Sequence, residues 1–182
     1  MNHLLLIEIC YIELNNIRNV EVYPWAISDI NAEREFYMYD KINLSSFNDS
    51  VNANIISTIP IKTITIDDFV YKYKEFPTVL RMDVEGYEFN IIKGSIKTLK
   101  SADRLKIFME IHPRILSDKI LDLLNILKDN INECPPYCYS YIDKLNNFNH
   151  IKYGHINYED FEDLIRNSQF MNGIEIFFEK SS

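Results

Sequence analysis

A chain of 182 residues that is 47% apolar or aromatic is long enough to bury a real core and too apolar to be disordered. Its net charge of −8, with no cluster of lysine or arginine, argues against a nucleic-acid surface. No run approaches the roughly 18 apolar residues of a membrane span, and the stretch Leu4 to Ile7, broken by Glu8, lacks the flanks of a signal peptide. Cys10, Cys134 and Cys138 suit a reducing compartment better than a disulfide scaffold, so a cytoplasmic location is expected.

In chain order, His3 to Asn15 reads as a helix that ends near Asn15-Asn16. Val20 to Tyr23 reads as a short strand stopped by Pro24. Glu33 to Tyr39 and Ile59 to Thr65 read as strands of a hairpin-like insertion around a loop rich in Ser and Asn. Thr65 and Asp68 form a capping box for a helix from Ile66 to Glu75, which Pro77 closes off. Val79 to Val84 is the next strand, and Tyr87 to Lys100 the next helix. Leu105 to Ile111 is an apolar strand ending at His112-Pro113. Ser117 is expected to cap an amphipathic helix with Ile120, Leu123, Leu124, Leu127 and Ile131 on one face. Tyr137 to Ile142 is a further strand, Asn157 and Asp160 cap a short helix through Arg166, and Ile174 to Glu179 is the last strand. This alternation predicts one α/β domain over residues 1–182 with a mostly parallel sheet.

The segment Thr78 to Ser95, TVLRMDVEGYEFNIIKGS, carries the chemistry. A strand runs into Asp83-Val84-Glu85-Gly86 and a helix follows at once, so carboxylates stand at the carboxyl end of a strand, where open α/β sheets bind ligands. In a regular strand Asp83 and Glu85 share a face, and at a strand-to-turn junction both reach the crevice. Two close carboxylates repel, which raises one pKa and makes a usable base. They also suit a cofactor ammonium or a sugar hydroxyl. The alternative is structural, with Asp83 capping the next helix and Glu85 solvated. Glu110, between Met109 and Ile111, is expected to be partly buried and paired. His112, beside it, is either a base for a hydroxyl nucleophile or a histidine holding a loop carbonyl.

The residues Asp83, Glu85, Gly86, Glu88, Lys93 and Gly94, in the order D-x-E-G-x-E and K-G, resemble the FkbM-type methyltransferase family. The stretches NVEVYPWAISD (Asn19 to Asp29), NLSSF (Asn43 to Phe47), IPIKTITIDDF (Ile59 to Phe69) and FMEIHP (Phe108 to Pro113) resemble it too, so the likeness covers about residues 10 to 115. It implies a Rossmann-like sheet and an S-adenosylmethionine-dependent transferase acting on hydroxyl groups of a small molecule or sugar. It implies an adenine site near Trp25 and Ala26, with Asp83 also at the cofactor, and an acceptor contacted by Ser45, Ser46 and Glu110. Trp25 as plain core and the serines as plain turn residues are the alternatives. Asp83, Glu85 and His112 are the expected catalytic residues.

The family pattern also includes a glycine-rich loop after the first strand and an acid ending the second. This chain has Gly86, Gly94, Gly154 and Gly173, and no GxG. YIELNNIRNV (Tyr11 to Val20) resembles the end of the helix after the second strand. The chain is therefore expected to lack the first two strands and to bind the cofactor weakly. The rival reading is a non-catalytic, methyltransferase-like binding or structural module. In the implied strand order 3-2-1-4-5-7-6, loss of strands 1 and 2 bares the Val79 to Val84 edge, so a homodimer through that edge is expected, unless Val20 to Tyr23 moves in beside it.

One further spacing stands apart. Cys134, Cys138, His150 and His155 read C-x3-C-x11-H-x4-H, close to a zinc finger. Pro135-Pro136 and Gly154 fit that motif badly, and no metal is expected.

Overall fold

The computed structural model describes residues 3–40, 47, 54–131, 137–144, 147–155, 157–166 and 174–180. Ser45, Ser46 and Cys134 lie outside them. The elements in order are α1 (His3–Leu14), β1 (Ala26–Ile27), β2 (Glu33–Tyr39), β3 (Ile55–Ile64), α2 (Ile66–Tyr73), β4 (Val79–Met82), α3 (Glu88–Lys93), α4 (Ile96–Ser101), β5 (Leu105–Ile111), α5 (Pro113–Leu116), α6 (Lys119–Asn130), β6 (Tyr137–Lys144), β7 (Asn147–His155), α7 (Tyr158–Arg166) and β8 (Ile174–Lys180).

The strands form a three-stranded sheet, β1-β3-β2, and a five-stranded sheet, β4-β5-β8-β6-β7. The α/β class holds, but the sheet is mixed and not mostly parallel. Among the described residues, only β1–β3 and β4–β5 pair parallel, while β2–β3, β5–β8, β6–β7 and β6–β8 are antiparallel. Two hairpins, β2–β3 and β6–β7, account for much of the difference. The last strand, β8, inserts between β5 and β6, as the run 4-5-7-6 requires.

The β5 side chains alternate in burial, as a strand with one face on a core must. Leu105, Ile107, Met109 and Ile111 meet Ile174, Ile176 and Phe178 on the inner face, and Ile92, Leu99, Leu123 and Leu127 of the helices cover them. Burying each such side chain contributes about 2 kcal/mol. The outer face carries Val79, Arg81, Phe108 and Phe177, with Phe108 46% exposed. Among the described residues β4 pairs only with β5, so it is a sheet edge.

Three local expectations are corrected. Val20 to Tyr23 forms no strand, and the short β1 starts only after Pro24. Tyr23 instead packs on Phe69 and Tyr73 of α2, with ring centroids at 5.0 and 5.2 Å. The helix from Tyr87 to Lys100 is two helices. Ser95 Oγ donates to the Ile92 carbonyl at 2.7 Å and competes with the helical ladder. The Asp67 carboxylate then caps the second helix, accepting from the Thr98 and Lys97 amides at 2.8 and 3.1 Å. Ser117 does not cap α6 through its side chain. It ends α5 with φ 49°, and α6 starts after Asp118. The capping boxes at Thr65–Asp68 and Asn157–Asp160 both form.

In the zinc-like spacing, Cys138 lies on β6, and His150 and His155 lie on β7. Both histidines are thus on a strand of an antiparallel hairpin and not on the helix of a finger.

Candidate active site

The sheet register builds the site. Met82 lies beside Met109 in the parallel β4–β5 pair, so Asp83 and Glu110 leave the sheet as neighbours. His112 follows Glu110 by two residues and falls on the same face. The chain then turns sharply after β4, with Glu85 at φ 51° and Gly86 at φ 86°. A left-handed glutamate is uncommon and tends to mark a functional turn. It brings the Glu85 carboxylate to 3.4 Å from His112 Nε2.

His112 is the hub. Its Nε2 is also 3.8 Å from Glu110 Oε1, and its Nδ1 is 3.1 Å from Glu88 Oε1. Glu88 Oε1 also accepts from the Gly86 amide at 3.1 Å. Glu88 is fully buried, and its Oε2 has no hydrogen-bond partner among the described residues. Burial alone opposes protonation of His112, but the hydrogen bond to Glu88 and the charges of Glu88, Glu85 and Glu110 outweigh it and hold the imidazole above 6.5. Burial pushes the Glu85 carboxyl up; His112 opposes this, and Asp83 and Glu88 add to it. Burial does the same for Glu110, with Asp83 and Glu175 adding and His112 opposing. The cluster is thus a set of crowded acids around one base, suited to taking up a proton or holding a cation.

Asp83 touches two cavities. One, of about 530 Å³, lies on the outer face of the sheet, lined by Arg81, Asp83, Phe108, Glu110, Glu175 and Phe177 among others. The other, of about 440 Å³, runs toward the small sheet and is lined by Ala26, Phe36, Phe47, Asp83, Glu85 and Tyr87 among others. The structure therefore brings Asp83, Glu85, Glu110 and His112 together and places Ala26 across a cavity from them. Trp25 is apart. It lines a third cavity with Tyr23, Phe69 and Phe76, and Lys72 Nζ lies 4.5 Å from its ring centroid.

The structural alternatives for the acid pair do not hold. Asp83 does not cap α3, whose N-cap, Tyr87, makes no side-chain cap bond. Glu85 is half-buried against His112, not solvated.

Two features escaped the sequence reading. Glu88 was readable only as a motif residue, although Ile91 and Ile92, on the same helical face, mark its position as inward. The second is a polar junction between the two sheets. Tyr87 OH and Ser28 Oγ are 2.9 Å apart, and Arg34 Nη1 donates to Tyr87 OH. Asp29 pairs with Lys93 at 3.4 Å and Arg34 at 3.9 Å. Gly94 belongs here, because a Cβ on it would overlap the Ser28 carbonyl oxygen. Ser28 and Arg34 are far from Tyr87 in sequence, so no local pattern records that they meet.

Residues 10–134 match the family model described as Methyltransferase FkbM domain. No curated protein and no solved structure matches the chain.

Proposed function

Because the chain belongs to the FkbM methyltransferase family, we propose that it moves the methyl group of S-adenosylmethionine onto a hydroxyl oxygen of a small molecule or sugar. The observation that carries this reading is the convergence of Asp83, Glu85, Glu110 and His112 at the carboxyl ends of β4 and β5, between two cavities. The adenosyl group takes the cavity lined by Ala26, Phe36 and Phe47, whose apolar walls suit a planar base. The acceptor takes the cavity lined by Glu110 and Glu175. Asp83 borders both, so the methyl group passes beside it.

In the transfer, a lone pair on the hydroxyl oxygen attacks the sulfonium methyl carbon. The carbon–sulfur bond breaks, its electron pair stays on sulfur, and S-adenosylhomocysteine leaves. The hydroxyl proton goes to the acid–imidazole cluster, in which Glu85 and His112 lie 3.4 Å apart. In-line displacement asks mainly for proximity and alignment, which the two cavities provide.

The test is twofold. Calorimetric titration with S-adenosylhomocysteine should show binding that Ala26→Trp abolishes by filling its cavity. Radiolabelled S-adenosylmethionine offered with a panel of polyhydroxylated acceptors should label one class, and Glu85→Gln should slow the labelling by about a hundredfold or more. Absence of both binding and labelling would overturn the reading and favour a non-catalytic module.

A further inference from the structure

The geometry points to a divalent-cation site formed by Asp83, Glu110 and His112. One donor atom from each lies within 4.8 Å of the others. The imidazole is set from behind. Glu88 Oε1 already accepts from the Gly86 amide, so it faces His112 as an acceptor and Nδ1 is the donor of the His112–Glu88 bond. Nε2 then faces the oxygens of Glu85 at 3.4 Å and Glu110 at 3.8 Å. A lone pair on Nε2 is repelled by those oxygens unless positive charge stands among them. A proton on Nε2 supplies one charge. A divalent cation supplies two, and it offsets Asp83 as well.

Glu88 adds an independent observation. It is fully buried, its Oε2 lacks a hydrogen-bond partner, and no lysine or arginine among the described residues pairs with it. A buried carboxylate left so is costly unless a positive charge lies close by. The His112 imidazole at 3.1 Å meets part of that need, and a cation bound at its Nε2 would add to it. A carboxylate holding the second nitrogen of a ligating histidine is the recurrent outer partner in metal sites.

Two carboxylate oxygens and one imidazole nitrogen suit Mn²⁺ or Mg²⁺ better than thiophilic ions. Three protein ligands leave about three positions of an octahedron open, and the cavity beside Asp83 and Glu110 gives access to them. Acceptor hydroxyl oxygens would fill these positions, a point that rests on the methyl-transfer reading. A bound ion would supply Lewis-acid activation of the hydroxyl, with His112 holding the ion and Glu85 placed to take the proton.

The experiment is a Mn²⁺ titration of the chelator-stripped full chain, read by the electron paramagnetic resonance of free Mn²⁺. It is expected to give one ion per chain, displaced by excess Mg²⁺. Glu110→Gln and His112→Gln should each weaken binding by about tenfold or more. The imidazole nitrogen coupling in the pulsed spectrum should vanish in His112→Gln and persist in Glu110→Gln. Asp83→Asn, at an exposed position, keeps the test decisive if a buried variant fails to fold. No saturable binding below about 1 mM, or affinity unchanged in these variants, would overturn the site. Tight binding with no labelled acceptor would keep the metal site and count only against methyl transfer.

Discussion

Tyr87 and Glu88 are adjacent in sequence and end in opposite kinds of surroundings. Tyr87 reaches the junction between the sheets, where Ser28, Arg34, Asp29 and Lys93 pair acid with base and donor with acceptor. Glu88 reaches the other side, where Glu85, Glu110 and Asp83 crowd one imidazole and a buried oxygen is left without a partner. The first region is satisfied and resembles a structural joint. The second is in excess of negative charge and resembles a site awaiting a ligand. Polar clusters that serve stability are completed within the chain, whereas those that serve binding are completed from outside.

The contrast can be broken most forcefully at Gly94. Gly94→Ala sets a methyl group against the Ser28 backbone, which cannot swing away as a side chain can. Urea denaturation should show a loss of about 3 kcal/mol; a loss under about 1 kcal/mol would mean that the joint is loose. Tyr87→Phe comes next. It strips the hydroxyl that Ser28 and Arg34 share, and should cost about 2 kcal/mol with little effect on Mn²⁺ affinity. Glu88→Gln should act on the other region. It keeps the shape of the side chain and an acceptor for the Gly86 amide but removes the charge that faces His112 Nδ1 at 3.1 Å, so Mn²⁺ binding should fall while stability drops by no more than about 2 kcal/mol. A strong destabilisation there would make Glu88 part of the joint.

Acid titration separates the regions more gently. For Asp29 burial works upward, but hydrogen bonds from Asn90, Ser28 and Lys93 prevail and hold its carboxyl below 3.8. A depressed acid contributes stability that is complete above 3.8 and drains away as pH falls through the lower folded-state value. Denaturation midpoints of the wild type should therefore drop below that pH, and those of Asp29→Asn should drop less. The smallest effect on stability is expected at exposed Asp83, where Asp83→Asn should stay within about 0.5 kcal/mol while ligand binding weakens.

Legibility in the sequence followed the range of the interactions. The strand alternation of β5, the stripe of α6 and the capping boxes at Thr65 and Asn157 depend on neighbours a few residues away, and they could be read directly. Asp83, Glu85, Glu110 and His112 were readable because a register of two adjacent strands suffices to bring them together. The break at Gly94 was not, since beside the local Ser95–Ile92 bond it rests on the cap from Asp67, remote in the chain. Pairing direction was misjudged for a related reason. Antiparallel β8 returns from the far end of the chain, and nothing local to Ile174–Lys180 records which way it enters.

The cap that Asp67 places on α4 ties two helices into one unit of unfolding. Its carboxylate accepts from the Thr98 and Lys97 amides, and its own amide donates to the Gly94 carbonyl at 3.0 Å. Opening of α2 therefore uncaps α4 at once, and α4, with six residues, is too short to persist alone. At its other end α4 is held by Lys180, which donates to the Leu99 and Lys100 carbonyls at 2.8 and 2.9 Å. Amide hydrogen exchange should accordingly show α2, α4 and the end of β8 losing protection at a common rate, as a single cooperative block whose clasp spans the chain from residue 67 to residue 180.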